Sequence, residues 1–304
     1  MFFMINSISL TGASGIVGRH LVHLFSKKKI KVFATSRKKL PFKNRFIRWK
    51  KMDLEKIKPS KNFNKVFGDS KVLIHAGAHI PLNSNIEDIK KIIKTNIDAT
   101  YTLYRWAKKN KVHFIFLSGA IVYKNQKNSK ENSSYIRKKD TIFYGYAKKI
   151  CDEFLKKELK KKELITIFRP TSIYGWGLKK NKIINKILSQ AKQKKKIKLY
   201  KPFIKKNFIH AKDIANAIYR CIKNKKYGCF NLSSPKMYSI KDLATTSNKL
   251  NNNKNSIVIF DNYKKDNHKY RFEINSNLVK KELGWKAKID LEQGLKLMMN
   301  RKCE

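Results

Sequence analysis

The stretch TGASGIVGRH, residues 11–20, constrains this chain more than any other. It follows an apolar run and opens onto an amphipathic segment, so it reads as the turn from a first strand into a first helix. Its glycines have separate physical jobs. Gly12 takes the tight turn, Gly15 lets the backbone approach a bound group, and Gly18 lets the helix lie close to the strand. The helix start also presents unsatisfied N–H groups and the positive end of its dipole. In this context the turn reads as a cradle for a dinucleotide pyrophosphate, with Ser14 and Ile16 beside the glycines.

The rest of the first half alternates short apolar runs with amphipathic segments, the α/β pattern of a parallel sheet flanked by helices. Strands are expected at 5–10, 31–36, 46–49, 71–75, 112–118 and 164–168, and helices at 15–25, 86–109 and 144–161. Beyond Arg169 the rhythm breaks at Pro170, Gly175, Gly177, Pro202, Gly228 and Pro235, which implies a smaller, less regular lobe. The expected division is therefore 1–169 and 170–304, with some later segments returning to the sheet. The polar run NNNKNS at 251–256 reads as a surface loop.

Charge is the odd feature: 71 Lys+Arg against 21 Asp+Glu, a formal net of +50. Two readings stand, a chain-wide compositional bias and a functional basic surface. The lysines occur in every segment, which favours the bias and counts against nucleic-acid binding. Cys151, Cys221, Cys229 and Cys303 form no CxxC pair and no metal-ligand spacing, so they read as free thiols in a reducing compartment. No run approaches the roughly 18–20 apolar residues of a membrane span, and the N-terminal ten residues read as a strand. A cytoplasmic protein is expected.

The second strand ends in KVFATSRKK at 31–39. An NAD site would place an acidic residue about 20 positions past the glycines to hold the ribose 2′-hydroxyl. Ser36, Arg37 and Lys38 stand there instead, which favours NADP over NAD unless Arg37 is one more exposed base. Asp53, in MDL at 52–54, is placed to receive an adenine amine or to cap a turn.

YGYAKK at 144–149 holds the candidate chemistry. Tyr144 and Lys148 are four apart and share a helix face, away from Tyr146. A phenol with an ordinary pKa of about 10 is drawn toward its anion by a neighbouring ammonium and a positive nicotinamide. Tyr144 would then exchange a proton while hydride moves, and Lys148 would also hold the nicotinamide ribose.

TGASGIVG, MDL, LIHAGA (73–78), TNIDAT (95–100), FLSGAIVY (116–123), YGYAK, FRPTSIYG (168–175), NFIHAKDIA (207–215), FNLSS (230–234) and LGW (283–285) occur in that order. Together they resemble the extended short-chain dehydrogenase/reductase family, also described as NAD-dependent epimerases/dehydratases. The resemblance implies a Rossmann-type doubly wound parallel sheet with a small C-terminal α/β substrate lobe, acting on nucleotide-activated sugars. It also implies that Gly12, Gly15 and Gly18 hold the pyrophosphate and that Asp53 and Leu54 meet adenine. Ala76 and Gly77 would line the cofactor. Asn96 resembles the family's asparagine on the long helix, with a buried structural amide as the other reading. Arg169–Pro170 and Tyr174–Gly175 fall where the chain crosses into the lobe, as packing or as substrate contacts. His210 and Asp213 match a structural lobe motif, and helices 86–109 and 144–161 match a homodimer interface.

One departure matters. The family's catalytic Ser or Thr lies four positions before Tyr123, where this chain has Gly119. Either Ser118 supplies the hydroxyl or the site lacks a donor whose loss costs about 10²-fold. No Asp–Glu pair follows Ser118 to mark a dehydratase. Epimerase, dehydratase and reductase all remain open, as does a cofactor-binding scaffold with lost catalysis. The loop at 124–140 is rich in Lys and Asn, which suits a diphosphate-bearing substrate or repeats the bias.

Overall fold

The computed structural model describes residues 5–41, 44–59, 63–81, 85–124, 128–260 and 273–300. Cys303 and part of the 124–140 loop lie outside these residues. In chain order the first half runs β1 (Ser7–Thr11), α1 (Ile16–Lys27), β2 (Lys31–Ser36), β3 (Ile47–Lys51), α2 (Phe63–Phe67), β4 (Val72–His75), α3 (Ile86–Ile92), α4 (Ala99–Lys109), β5 (His113–Leu117), α5 (Phe143–Lys160) and β6 (Ile165–Pro170). The second half runs β7 (Ser172–Tyr174), α6 (Ile183–Lys192), β8 (Ile197–Leu199), β9 (Lys205–Lys206), β10 (Phe208–His210), α7 (Ala211–Lys223), β11 (Gly228–Leu232), β12 (Tyr238–Ser239), α8 (Ile240–Leu250), β13 (Ile257–Ile259), α9 (Asn277–Leu283) and α10 (Leu291–Met299).

Strands β4, β5 and β6 are buried along their whole length, as continuous apolar runs must be when helices cover both faces. They belong to a seven-stranded parallel sheet of order β11-β6-β5-β4-β1-β2-β3. Strand order reverses between β1 and β4, which opens a crevice at their carboxyl ends. On one face Val17 and Leu21 of α1 and Ile214 and Ile218 of α7 pack with β1 and β2. On the other, Leu103 of α4 and Leu155 of α5 pack with β5 and β6. A third core joins α6, α8 and α10 through Ile187, Leu243 and Leu295. Strand β11, helix α7 and Trp285 come from the second half of the chain yet pack into the sheet or its core.

Two polar clusters fix the layers. Asp213 accepts the N–H groups of Lys288 and Ile289 and, through its carbonyl, Trp285 Nε1, which joins the FIHAKDIA and LGW segments. Arg169, wholly buried at the end of β6, pairs with buried Asp152 of α5. Its guanidinium also donates to Tyr123 Oη, Tyr135 Oη and the Glu131 carbonyl. Tyr123 in turn donates to Asn231 of β11, at 2.6 Å. Arg169 is therefore a packing residue, and the substrate-contact reading of it does not hold. Losing one partner of such a pair costs about 3–5 kcal/mol, because the other charge is stranded out of water.

Helix 86–109 is not one regular helix. Ile93–Asp98 forms a π-helical segment between α3 and α4, an insertion that a 3.6-residue pattern does not announce. The carbonyl of Asn96 accepts Thr100 Oγ1 and Cys151 Sγ. The loop at 251–256 is largely exposed, but Asn253 is buried and its amide donates to Lys195 O and Asn248 Oδ1.

Candidate active site

The glycine turn sits beside the β1/β4 crevice. Gly12 has φ 73°, and a β-carbon there would lie 2.5 Å from both N and Cα of Gly77. One on Gly18 would lie 2.2 Å from the Gly12 carbonyl oxygen. Neither position admits a larger residue without moving backbone. Gly15 caps α1, is exposed, and is followed by a first turn without acidic side chains. The first N–H groups of a helix have no partner within it, so this end is fitted to an anion. Arg19 steadies the turn: its Nε donates to Ser14 O at 2.9 Å, and its guanidinium lies 4.9 Å from the Trp176 ring centre.

At the adenosine end, Asp53 accepts from Glu55 N and caps a short 3₁₀ turn, while Leu54 lies against Gly77. Arg37 and Lys38 are exposed past β2. Ser36 departs from the expectation of a phosphate donor. Its hydroxyl is buried, donates to Lys38 O at 2.6 Å and accepts from Trp49 Nε1 at 2.9 Å. Its one proton is thus committed to the turn. Ala76 and Gly77 follow β4, and Asn96 sets their loop by accepting from His79 N and donating to His79 O. The amide of Asn96 is structural.

At the other end of the crevice, α5 carries Tyr144 and Lys148. Lys148 is buried, its Nζ donates to Leu117 O at 2.7 Å and lies 4.6 Å from the Phe116 ring centre. Burial lowers its pKa from 10.5 to about 8, against the raising influence of Cys151 and Asp152. Tyr144 is partly buried, and desolvation pushes its pKa up to about 12. Ser118, at the end of β5, is buried, and its Oγ has no hydrogen-bond partner among the described residues. An orphaned buried hydroxyl costs about 1–3 kcal/mol, which a ligand oxygen would relieve.

Ser118 and Tyr144 line one cleft of about 580 Å³, which reaches Ile16 at the tip of α1. The second half of the chain adds Lys182, Lys205 and Lys206, together with Asn207 and Phe208. Burial lowers the Lys206 pKa, and Lys182 adds to the effect. Sequence reasoning missed these residues; in a chain with 71 Lys+Arg nothing marks three lysines as site residues. Pro170 lines the cleft as well. Tyr174 does not take part; it is buried and donates to Asp290 O. His210 caps α7 by accepting from Lys212 N and is structural. Among the described residues no group of His, Cys, Asp and Glu is placed to hold a metal ion.

The fold and the glycine turn define a Rossmann-type α/β protein whose cradle fits a dinucleotide. The chain belongs to the NAD dependent epimerase/dehydratase family, whose model matches residues 8–233. Among curated proteins it is similar to UDP-glucuronic acid decarboxylase 3 of Arabidopsis thaliana, 23% identical over 216 residues. That match takes in 68% of this chain and 63% of the relative, so the chain spans less than two thirds of that relative's length. It is also 23% identical to CDP-abequose synthase of Salmonella typhimurium, over 99% of this chain and 100% of that protein. Among solved structures, UDP-glucose 4-epimerase of Thermotoga maritima superposes with a TM-score of 0.82 at 19% identity, covering 97% of this chain and 98% of that one. The NAD complex of dTDP-glucose 4,6-dehydratase from Bacillus anthracis gives 0.80 at 19% identity, covering 97% and 96%.

The buried ammonium makes a prediction about stability. Because the folded pKa of Lys148 is depressed, the unfolded chain holds this proton more tightly. The group therefore destabilises the fold below about pH 8, and the penalty fades as the pH rises from 8 toward 10.5. Lys148→Met should unfold in denaturant about 1–2 kcal/mol later at neutral pH, after allowing for the lost bond to the Leu117 carbonyl. That advantage should shrink above pH 8; a destabilised variant at neutral pH would contradict it.

Proposed function

We propose that the chain is a nucleotide-sugar epimerase or reductase that moves hydride at a hydroxyl-bearing ring carbon. The observation that carries this reading is the unpartnered Ser118 hydroxyl in the same cleft as Tyr144, on a helix that also buries Lys148. Tyr144 takes the sugar hydroxyl proton as the carbonyl forms and returns one when it is reduced. Lys148 would hold the nicotinamide ribose, and Ser118 donates to the substrate oxygen. A nicotinamide, when bound, supplies the hydride exchange at the same carbon.

Gly12, Gly15, Gly18, Ser14 and Ile16 would hold the pyrophosphate, with Asp53, Leu54, Ala76 and Gly77 along the remainder of the cofactor. Lys182, Lys205 and Lys206 suit the substrate diphosphate. NADP is the proposed cofactor, on the exposed Arg37 and Lys38 and the lack of an acidic side chain at the end of β2. Dehydration is left out of the proposal. Elimination needs an acid and a base besides Tyr144, and no Asp or Glu lines the cleft among the described residues. A scaffold role is less well supported, because Ser118 offers the hydroxyl that Gly119 lacks. A cytoplasmic location is proposed from the buried, unpaired Cys151, Cys221 and Cys229; among the described residues no helix is long and apolar enough to cross a membrane.

Mass spectrometry of a nucleotide-sugar panel, run with NAD and with NADP in both redox states, tests the reading. An isomer or a reduced sugar is expected, faster with NADP. Tyr144→Phe should lower kcat by about 10²–10⁴-fold and Ser118→Ala by about 10²-fold. A dehydrated or decarboxylated product, or no product, would overturn it.

We also propose a homodimer through α3, α4 and α5. Ile86 is 68% exposed, Ile93 39% and Tyr101 47%, apolar surface on one helical run that a second copy would cover. Self-repulsion of a +50 chain opposes association. Light scattering should show a dimer whose population grows with salt; a monomer at micromolar concentration in moderate salt would remove this interface.

A further inference from the structure

Gly175 and Gly177, which break the rhythm of the sequence, flank Trp176 in the connection from β7 to α6. Both have positive φ, 139° and 92°, a conformation that side chains rarely adopt. Side chains of α1 and of the start of α7 crowd the places where their β-carbons would stand. At Gly175 that carbon would lie 3.1 Å from His210 Nε2 and 3.3 Å from His20 Cε1. At Gly177 it would lie 3.0 Å from Arg19 Cδ. The connection is therefore seated directly on the helix that the glycine turn opens.

Arg19 touches both sides of this joint. Its Nε donates to Ser14 O at 2.9 Å, inside the phosphate cradle, and its guanidinium lies 4.9 Å from the Trp176 ring centre. From Trp176 the contacts continue into the cleft wall. Leu178 N donates to Gly175 O at 3.2 Å, closing a turn around the tryptophan. Leu178 O accepts from Asn185 Nδ2 of α6 at 2.8 Å. Leu178 and the start of α6, Lys182 to Ile184, line the cleft that holds Ser118 and Tyr144. A continuous set of contacts thus joins the cradle to the wall that the second half of the chain supplies.

Hydride transfer needs the sugar carbon and the nicotinamide held in one geometry, and a misplacement of about 1 Å can cost about 10²-fold. On the reading above, the turn at 11–18 would hold the dinucleotide and the second-half wall would hold the sugar diphosphate. Neither element fixes the other unless something joins them. We propose that Arg19 and Trp176 are a positioning pair that sets the cofactor turn in register with the substrate wall. Neither residue lines the cleft, so neither touches a reacting atom. The proposal rests on the nucleotide-sugar reading and adds to it the part that aligns its two ligands.

The test measures kcat and KM per dinucleotide-binding site, for the member of a UDP-, CDP- and dTDP-hexose panel that the wild-type protein converts with NADP or NAD. Sites are counted by titrating the dinucleotide without sugar. Trp176→Leu should lower kcat per site by about 10- to 100-fold while KM for the sugar stays within about threefold. Trp176→Phe, which keeps a ring face for the guanidinium, should recover most of that loss. Arg19→Met should lower kcat as Trp176→Leu does, and the double variant should fall little further, because both changes remove one contact. Damage to folding would instead reduce the number of sites and leave kcat per site as in the wild type. Unchanged kcat per site in Trp176→Leu, equal values for the Leu and Phe variants, or losses that multiply in the double variant overturn this inference and leave the functional reading standing. A wild-type protein that binds no dinucleotide, or converts none of the sugars, removes both.

Discussion

The missing β-carbon at Gly12 is the constraint on which the carboxyl edge of the sheet depends. With Gly77 backbone 2.5 Å from where that carbon would stand, the chain past the ends of β1 and β4 approaches too closely to admit a side chain at Gly12. Gly18 repeats the economy one turn later, and together they seat the start of α1 over the crevice where strand order reverses. A larger side chain at either position would displace the turn and, with it, the geometry that separates the phosphate end from the chemical end.

At the chemical end the fold maintains an arrangement that is unfavourable by itself. Burial disfavours both the Lys148 ammonium and the Tyr144 anion. What holds α5 in place is the Arg169–Asp152 cluster at its middle, anchored to β11 through Tyr123 and Asn231. Stability is thus concentrated beside the site while the site keeps a strained protonation state and an unpartnered hydroxyl. That division of labour is common where a binding partner is to supply the missing contacts.

Much of this was legible in the sequence, for local reasons. The glycine turn, the apolar strands and the Tyr144/Lys148 spacing are short-range signals written in adjacent residues. The π-helical segment at Ile93–Asp98 was not, because one widened turn leaves the apolar period nearly unchanged. Ser36 looked like a ligand residue until its hydroxyl was seen bonded to Lys38 and Trp49. Lys182, Lys205 and Lys206 reach the cleft through tertiary folding, and a lysine-rich composition hides them. Arg169 carried a motif without saying whether its guanidinium faced substrate or core; only its partners decide that.

The central proposal is that an oxidised nicotinamide, when bound, would lie close enough to the Tyr144 phenol to stabilise its anion. Ultraviolet difference titration of tyrosinate, with and without the oxidised dinucleotide, tests it most directly. The account predicts that a tyrosine titrating near pH 12 in the free protein moves well down when the dinucleotide binds, and that Tyr144→Phe abolishes the shift. Binding of the dinucleotide with no tyrosine moving, or the same shift in Tyr144→Phe, would contradict it.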